Sequence, residues 1–182
     1  MKKNGNLAQP IDRRTFLLGG LVVATGVAAG SARVETFTEW LKSSPKEREI
    51  ALQQCLERIR AMDPSIQAWV QVSPEKATGQ GKLSGIPFGV KDIIETKGLA
   101  TEYGSPIYKG RIGTADAAIV RDLRQRGGIL LGKTQCAAFA FKTPPPTHNP
   151  RDLAHTPGGS SSGSAAAVSS TTQWRSLDTS TT

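Results

Sequence analysis

The amino-acid sequence predicts an α/β domain. Apolar side chains recur at helical spacing over residues 45–62, and apolar and polar side chains alternate over residues 66–72, as they do in a half-buried strand. Two short apolar runs, at 86–94 and 129–131, are typical of buried strands. The resulting order of helix, strand, strand, helix and strand indicates a mixed α/β class.

The first 32 residues predict an export signal. A basic start is followed by an apolar, glycine-containing run at 16–29 and by small residues suited to cleavage at 30–32. Residues 12–17, Asp-Arg-Arg-Thr-Phe-Leu, resemble the twin-arginine motif. The alternative is a membrane helix, but the run is shorter than the roughly 20 residues that span a bilayer. We expect the twin-arginine machinery to deliver the chain to the periplasm or medium, with no stable membrane anchor.

Composition argues against two kinds of site. The chain has a formal net charge of +8, but its basic residues are scattered rather than interleaved with aromatic ones, so we expect no nucleic-acid partner. Cys55 and Cys136 stand far apart without a CxxC pair, and with only 2 His the sequence predicts no zinc site. A disulfide between them stays open, although the apolar residues after Cys136 favour a buried thiol.

The first helix has a clear beginning. Ser44-Pro45-Lys46-Glu47 is a capping box with proline in the first turn, and it predicts a helix from Pro45 to Met62 that ends at Asp63-Pro64. The inward face consists of Leu52, Cys55, Leu56, Ile59 and Met62. A half-buried strand over 66–72 and a polar loop over 73–84 are expected to follow.

A charged pair lies within the next predicted strand. Lys91 and Asp92 interrupt the strand predicted over 86–94. Lysines at strand ends usually extend into solvent, whereas a lysine base must be shielded from water, because burial disfavours the ammonium form. Burial therefore distinguishes the two interpretations of Lys91.

The next helix is predicted to begin with Thr114 as its cap and to end at 127–128. Its inward face would be Ile119, Val120 and Leu123. A buried strand at 129–131 follows, and the proline-rich residues 143–150 predict a loop.

The glycine- and serine-rich residues 155–164 lead directly into Ala165-Ala166-Ala167-Val168. Such a run is either a flexible linker or a shaped loop that presents backbone N–H groups and hydroxyls before a packed helix. Linkers stay polar, so the apolar continuation favours the shaped loop, the one stretch of this sequence suited to chemistry.

Together, residues 85–92 (Gly-Ile-Pro-Phe-Gly-Val-Lys-Asp) and 155–168 resemble the amidase signature family, serine hydrolases that cleave carboxamides with a Ser–Ser–Lys triad. The likeness covers roughly residues 45–168. Its other ordered matches are 101–105, 115–120, 131–134 and 149–150. The resemblance implies the N-terminal part of a mixed β-sheet covered by helices, a small-molecule amide substrate, and no metal or cofactor.

Residue roles also follow from this resemblance. Lys91 corresponds to the base and Ser160 to the bridging serine, while Gly158, Gly159 and Ser161 form the supporting loop. The sequence departs from the family at residues 135–138, which border the substrate pocket in relatives, so the substrate preference stays open. Export argues against the tRNA-dependent amidotransferase branch of the family.

A larger departure follows Val168. In the family the nucleophilic serine lies roughly two dozen residues beyond the bridging serine, in a Thr-x-Thr-Gly-Gly-Ser run. Residues 169–182 contain no such run. We therefore expect an amidase-signature domain over 33–168, truncated before the nucleophile, with a disordered polar tail over 169–182. A shifted reading frame is one hypothesis, which the nucleotide sequence tests.

Two functions remain open at this point: an amidase-family hydrolase, or an inactive, binding-only product. Substitution of the nucleophile by Ser161, Ser162 or Ser164 is not expected, because neighbours in a tight loop point in different directions. A chain shorter than the family fold would also leave strands 86–94 and 129–131 with unpaired edges and would be marginally stable.

Overall fold

The computed structural model describes residues 34–78 and 80–171. The predicted export signal with its twin-arginine motif, and residues 172–182 of the predicted tail, lie outside this range. The helices are α1 (Phe37–Lys42), α2 (Pro45–Ile66), α3 (Ala118–Gln125) and α4 (Ser162–Thr171), and the strands are β1 (Trp69–Val72), β2 (Pro87–Lys91) and β3 (Ile129–Thr134). Two short 3₁₀ turns cover Pro106–Tyr108 and Ala138–Ala140.

The three strands form a mixed sheet in the order β1-β3-β2, which confirms the predicted α/β class. The central strand β3 runs antiparallel to β1 and parallel to β2. The expectation of an unpaired edge at 129–131 is therefore wrong, because β3 has partners on both sides. Among the described residues, β2 has a partner strand on one side only.

Capping boxes start both N-terminal helices. Ser44 and Glu47 cap α2 as the sequence predicts, with the Ser44 N–H donating to Glu47 Oε2 at 2.7 Å. Thr36 and Glu39 cap α1 in the same way. The sequence analysis missed α1, although Thr-x-x-Glu carries the same signal.

Helix α2 continues beyond its predicted end, through Pro64 to Ile66. The proline removes only one N–H in the last turn. Gln67 then adopts a left-handed conformation and donates its N–H to the Asp63 carbonyl at 2.7 Å, while the Asp63 carboxylate accepts the Ala68 N–H at 2.7 Å. Ile66 therefore ends the helix, and strand β1 begins only at Trp69.

Apolar contacts hold helices on both faces of the sheet. Helix α2 packs on β3 through Cys55, Leu56, Ile59, Ile129 and Leu131. The end of α2 contacts α4 through Ile66, Ala68, Ala166 and Ala167. On the other face, α3 covers β2 and β3 through Val90, Val120 and Leu130. No helix in residues 34–78 and 80–171 is long and apolar enough to cross a membrane.

The start of α3 differs from the prediction. Thr114 does not cap the helix, because α3 begins four residues later at Ala118, with Ala117 in the cap position. The Thr114 N–H instead donates to the Glu95 carboxylate at 2.9 Å. This start turns Val120 into the core and leaves Ile119 55% exposed, so the predicted inward position of Ile119 is wrong.

The boundaries of the last two elements also differ from those predicted. Strand β3 extends three residues beyond Leu131 to Thr134. Helix α4 continues past Val168, so residues 169–171 of the predicted tail are helical. The glycine- and serine-rich stretch is a loop that enters a packed helix, as the sequence predicts.

Candidate active site

Lys91 ends β2, where it pairs with Thr134 of β3. Its Nζ donates two hydrogen bonds of 2.9 Å, one to Ser160 Oγ and one to Ser161 Oγ. The Lys91 side chain is half-buried, in between the solvated and shielded alternatives that the sequence left open. Strand β2 thus presents an amine to two hydroxyls from a loop about 70 residues further along the chain.

The loop that carries these hydroxyls is held at both ends. The Ser160 carbonyl accepts the Ala137 N–H at 3.0 Å, and the Gly158 carbonyl accepts the Ser162 hydroxyl at 2.6 Å. The peptide bond between Gly159 and Ser160 is cis. The two hydrogen bonds hold the backbone carbonyls of Gly158 and Ser160, the residue that carries the hydroxyl facing Lys91.

Helix α4 approaches the sheet so closely that only glycine fits at position 163. A Cβ there would lie 2.3 Å from the Ala68 carbonyl oxygen and 2.4 Å from the Gln135 nitrogen. The Gly163 N–H donates to the Gln135 carbonyl at 3.0 Å. At the next residue, Ser164 Oγ lies 2.8 Å from Thr134 Oγ1. These contacts join the start of α4 to the end of β3, beside Lys91.

Asp92 follows Lys91 and is fully buried. Its N–H continues the ladder to the Thr134 carbonyl at 2.9 Å. Its carboxylate accepts the N–H groups of Glu102 at 3.0 Å and of Gly104 at 2.9 Å. A buried carboxylate is stable when backbone donors surround it. Asp92 therefore organises the loop that packs beside the site.

Lys133 is a second buried charge, on β3 next to Val90 of β2. Its side chain has no exposed surface, and its ammonium donates to the Ile94 carbonyl at 2.8 Å, the Ala100 carbonyl at 3.0 Å and Thr101 Oγ1 at 2.9 Å. Burial lowers the pKa of Lys133 to about 8, against the attraction of the nearby Asp92 carboxylate. The sequence analysis missed this residue, because a strand lysine gives no signal of burial.

Residues 135–138, which depart from the family pattern, contact the loop 155–161 that carries Ser160 and Ser161, called the serine loop below. Cys136 is fully buried, as the sequence predicts, and burial raises the pKa of its thiol. Cys55 and Cys136 are both free thiols. Ala137 donates its N–H to Ser160, and Phe139 follows with its side chain 51% exposed beside Tyr103 and Tyr108. The three rings form one aromatic cluster.

The structure brings together Lys91, Ser160 and Ser161 of the predicted site residues, with Gly158 and Gly159 leading into the loop. Their chemical roles stay predictions. The expectation that neighbouring serines point apart holds for Ser162, which bonds to Gly158, but it is wrong for Ser161. The Ser161 hydroxyl is as close to Lys91 as the Ser160 hydroxyl is.

Comparison with known proteins places this geometry in a family. A family model described as Amidase matches residues 50–179. The chain is 39% identical over 141 residues to the A subunit of glutamyl-tRNA(Gln) amidotransferase from Thermotoga maritima, covering 74% of this chain and 30% of the relative. It is 41% identical over 133 residues to the same protein of Salinispora arenicola, covering 62% of this chain and 27% of the relative.

Solved structures give the same result. The crystal structure of the Thermotoga maritima protein has a TM-score of 0.69 at 38% identity and covers 75% of this chain and 32% of its own. A 6-aminohexanoate cyclic dimer hydrolase has a TM-score of 0.63 at 27% identity, and the match covers 78% of this chain and 32% of the hydrolase. The peptide amidase of Stenotrophomonas maltophilia has a TM-score of 0.59 at 28% identity, and the match covers 75% of this chain and 33% of the amidase.

The chain spans about 30% of the length of the relatives it matches. The matched part includes the strand that ends in Lys91, the serine loop and helix α4. A model match over residues 50–179 covers most of the 182-residue chain. This chain belongs to the amidase signature family.

Proposed function

We propose that this chain contributes the Lys–Ser part of an amidase that hydrolyses the carbon–nitrogen bond of carboxamides. The observation that carries the proposal is the 2.9 Å contact between Lys91 Nζ and Ser160 Oγ. An amine within hydrogen-bond distance of a hydroxyl has the geometry that a general base needs. The names of relatives, among them a peptide amidase and a cyclic dimer hydrolase, support the same class of reaction.

The relay would run in three steps. Neutral Lys91 takes the proton of Ser160, Ser160 takes the proton of a nucleophilic serine outside the described residues, and that serine attacks the amide carbon. The tetrahedral intermediate then releases ammonia or an amine, which receives the proton that Lys91 took. Water hydrolyses the acyl-enzyme, and the carboxylic acid leaves with the serine restored.

The alternative proposal is that the 182-residue chain binds a carboxamide without turning it over. It rests on residues 169–182, which contain no Thr-Gly-Gly-Ser run to supply the attacking serine. Ser161 contacts Lys91 directly, but attack also requires donors that stabilise the oxyanion.

The branch of the family is a separate proposal. Amidotransferase A subunits are among the relatives at 35–41% identity, which supports other subunits of such an amidotransferase as partners. The predicted export of residues 1–32 supports a free hydrolase and the export machinery as partner instead. Detection of the mature chain in the periplasm or medium would favour the hydrolase branch, and retention in the cytoplasm would favour the amidotransferase branch.

Ammonia release from simple carboxamides tests the two functions. If the purified chain releases ammonia, we expect Lys91→Ala and Ser160→Ala to abolish it, while the exposed lysine variant Lys82→Ala keeps the wild-type rate. If it releases none, titration with benzamide, followed by NMR, tests the binding-only function. Turnover that survives both site variants, in this chain or at the corresponding positions of an intact relative, would contradict the proposed relay.

A further inference from the structure

Lys133 is a buried charge for which the proposed relay has no use. Among residues 34–78 and 80–171 it is the only lysine whose side chain is fully buried. All the acceptors of its ammonium belong to the segment 92–101, which leaves the end of β2. The same segment begins directly after Lys91, so Lys133 anchors the chain at the point where the candidate base is presented.

The anchor reaches the serine loop through a continuous series of contacts. Lys133 Nζ lies 3.9 Å from Asp92 Oδ1, and the Asp92 carboxylate holds the N–H of Gly104 at 2.9 Å. Gly104 packs so tightly on the next segment that a Cβ there would lie 2.4 Å from the Cys136 carbonyl oxygen. The following residue, Ala137, donates its N–H to the Ser160 carbonyl at 3.0 Å. Both sides of the Lys91–Ser160 contact thus depend on the residues around Lys133.

A side chain needed only to fill this space would be apolar, because burying an ammonium group is costly. Burial lowers the pKa of Lys133 to about 8, which records that cost. An apolar chain of similar length could not hold two carbonyls and a hydroxyl in fixed directions. The charged group therefore supplies orientation in addition to packing.

We propose that Lys133 is a positioning residue, which fixes the segment after β2 and thereby directs Lys91 onto Ser160. This inference rests on the proposed function, since it assigns a role toward the candidate base. Lys133 itself lies on the opposite face of the sheet from Lys91, because Lys91 pairs with Thr134 and neighbouring strand residues alternate between faces. It therefore acts on Lys91 only through the backbone.

The test uses NMR of the 182-residue chain with lysine labelled at the ε-carbon, which needs no turnover. The Lys91 signal is assigned with Lys91→Arg, and its shift on Ser160→Ala reports the Lys91–Ser160 contact. In the Lys133→Met background we expect this shift to fall by more than half. The matched control is Lys97→Met, an exposed lysine of the same segment, which should leave the shift at its wild-type size.

A second variant guards against a chain that fails to fold. Thr101→Val removes one acceptor of Lys133 and should reduce the shift in the same direction by a smaller amount. A shift that keeps its wild-type size in every folded variant would overturn the positioning role and leave the proposed relay intact. If Ser160→Ala does not move the Lys91 signal even in the wild-type chain, the contact itself is absent and both proposals fail.

Discussion

The parallel strands β2 and β3 each carry a lysine near their C-terminal end, and the two lysines differ in almost every physical respect. Lys91 is half-buried and donates to two hydroxyls, whereas Lys133 is fully buried and donates mainly to backbone carbonyls. Hydroxyls can give up a proton and carbonyls cannot. The acceptors, more than the lysine, therefore distinguish a candidate base from a structural cation.

The register of the sheet creates this difference. Phe88 pairs with Leu130 and Gly89 pairs with Gly132, so Leu131 is an extra residue on β3. A bulge of one residue changes which face the following side chains occupy. Thr134 consequently joins the face of Lys91 and α4, and Lys133 turns toward the segment 92–101.

The largest expected effect is the loss of catalytic rate when Lys91 is replaced. In a protein of this family that hydrolyses amides, replacing the base at the position of Lys91 by alanine should reduce kcat by about a hundredfold to ten-thousandfold, the usual contribution of general base catalysis. Stability should change little, because Lys91 is only half-buried. Steady-state kinetics and a denaturant titration of the same sample measure the two quantities, and an active Lys91→Ala protein would remove the distinction between the two lysines.

Replacing Lys133 is expected to lower the stability of the fold. Lys133→Met leaves the buried Ala100 carbonyl without its donor and the Ile94 carbonyl with the Thr96 hydroxyl alone, so the free energy of unfolding should fall by about 3 kcal/mol. The matched control Lys97→Met should change it by less than about 0.5 kcal/mol, because that side chain is exposed. Urea unfolding followed by circular dichroism gives both values. An unchanged midpoint in Lys133→Met would mean that the buried charge contributes nothing to the fold.

These two lysines also show how far the sequence could predict the molecule. The glycine- and serine-rich loop and the Gly-Val-Lys-Asp segment carry the resemblance to the amidase signature family, and that resemblance predicts that Lys91 and Ser160 meet. The capping box at Thr36 carries the same kind of signal and could have predicted α1. Burial of Lys133 could not be predicted, because it depends on an extra residue in a strand pairing, which is a property of two distant segments.

Ser161 marks a similar limit. Nothing in a run of three serines predicts which hydroxyls face the amine, because the directions depend on backbone contacts to Ala137 and Gly158. The proline at 64 shows the reverse case, in which tertiary structure overrides a strong local signal. The left-handed Gln67 and the Asp63 carboxylate satisfy the end of α2 beyond the predicted stop.

A smaller effect concerns the dependence of stability on pH. Burial lowers the pKa of Lys133 to about 8 from 10.5, so between these values the unfolded chain holds a proton that the folded chain releases. Stability from this group therefore rises with pH, by about 1 kcal/mol between pH 8 and pH 9. Burial raises the pKa of the Cys55 and Cys136 thiols. The stability that these two thiols contribute is therefore lost as pH rises, opposite in sign to the effect of Lys133.

Urea unfolding of wild-type and Lys133→Met chains at a series of pH values isolates the lysine, since both chains share the two thiols. The difference in free energy of unfolding between the two should grow in favour of wild type above pH 8. A difference that is flat from pH 7 to pH 10 would show that Lys133 keeps an ordinary pKa.

The smallest expected effect separates the two hydroxyls at Lys91. Ser161 is exposed, so water can replace its hydroxyl as an acceptor after Ser161→Ala, and Lys91 keeps its contact with Ser160. We expect the free energy of unfolding to change by less than about 0.5 kcal/mol. In an amide-hydrolysing relative, kcat should fall less than about tenfold, whereas Ser160→Ala removes a step of the relay. If the two alanine variants lose activity equally, Ser160 is not the single relay group, and Lys91 serves both hydroxyls.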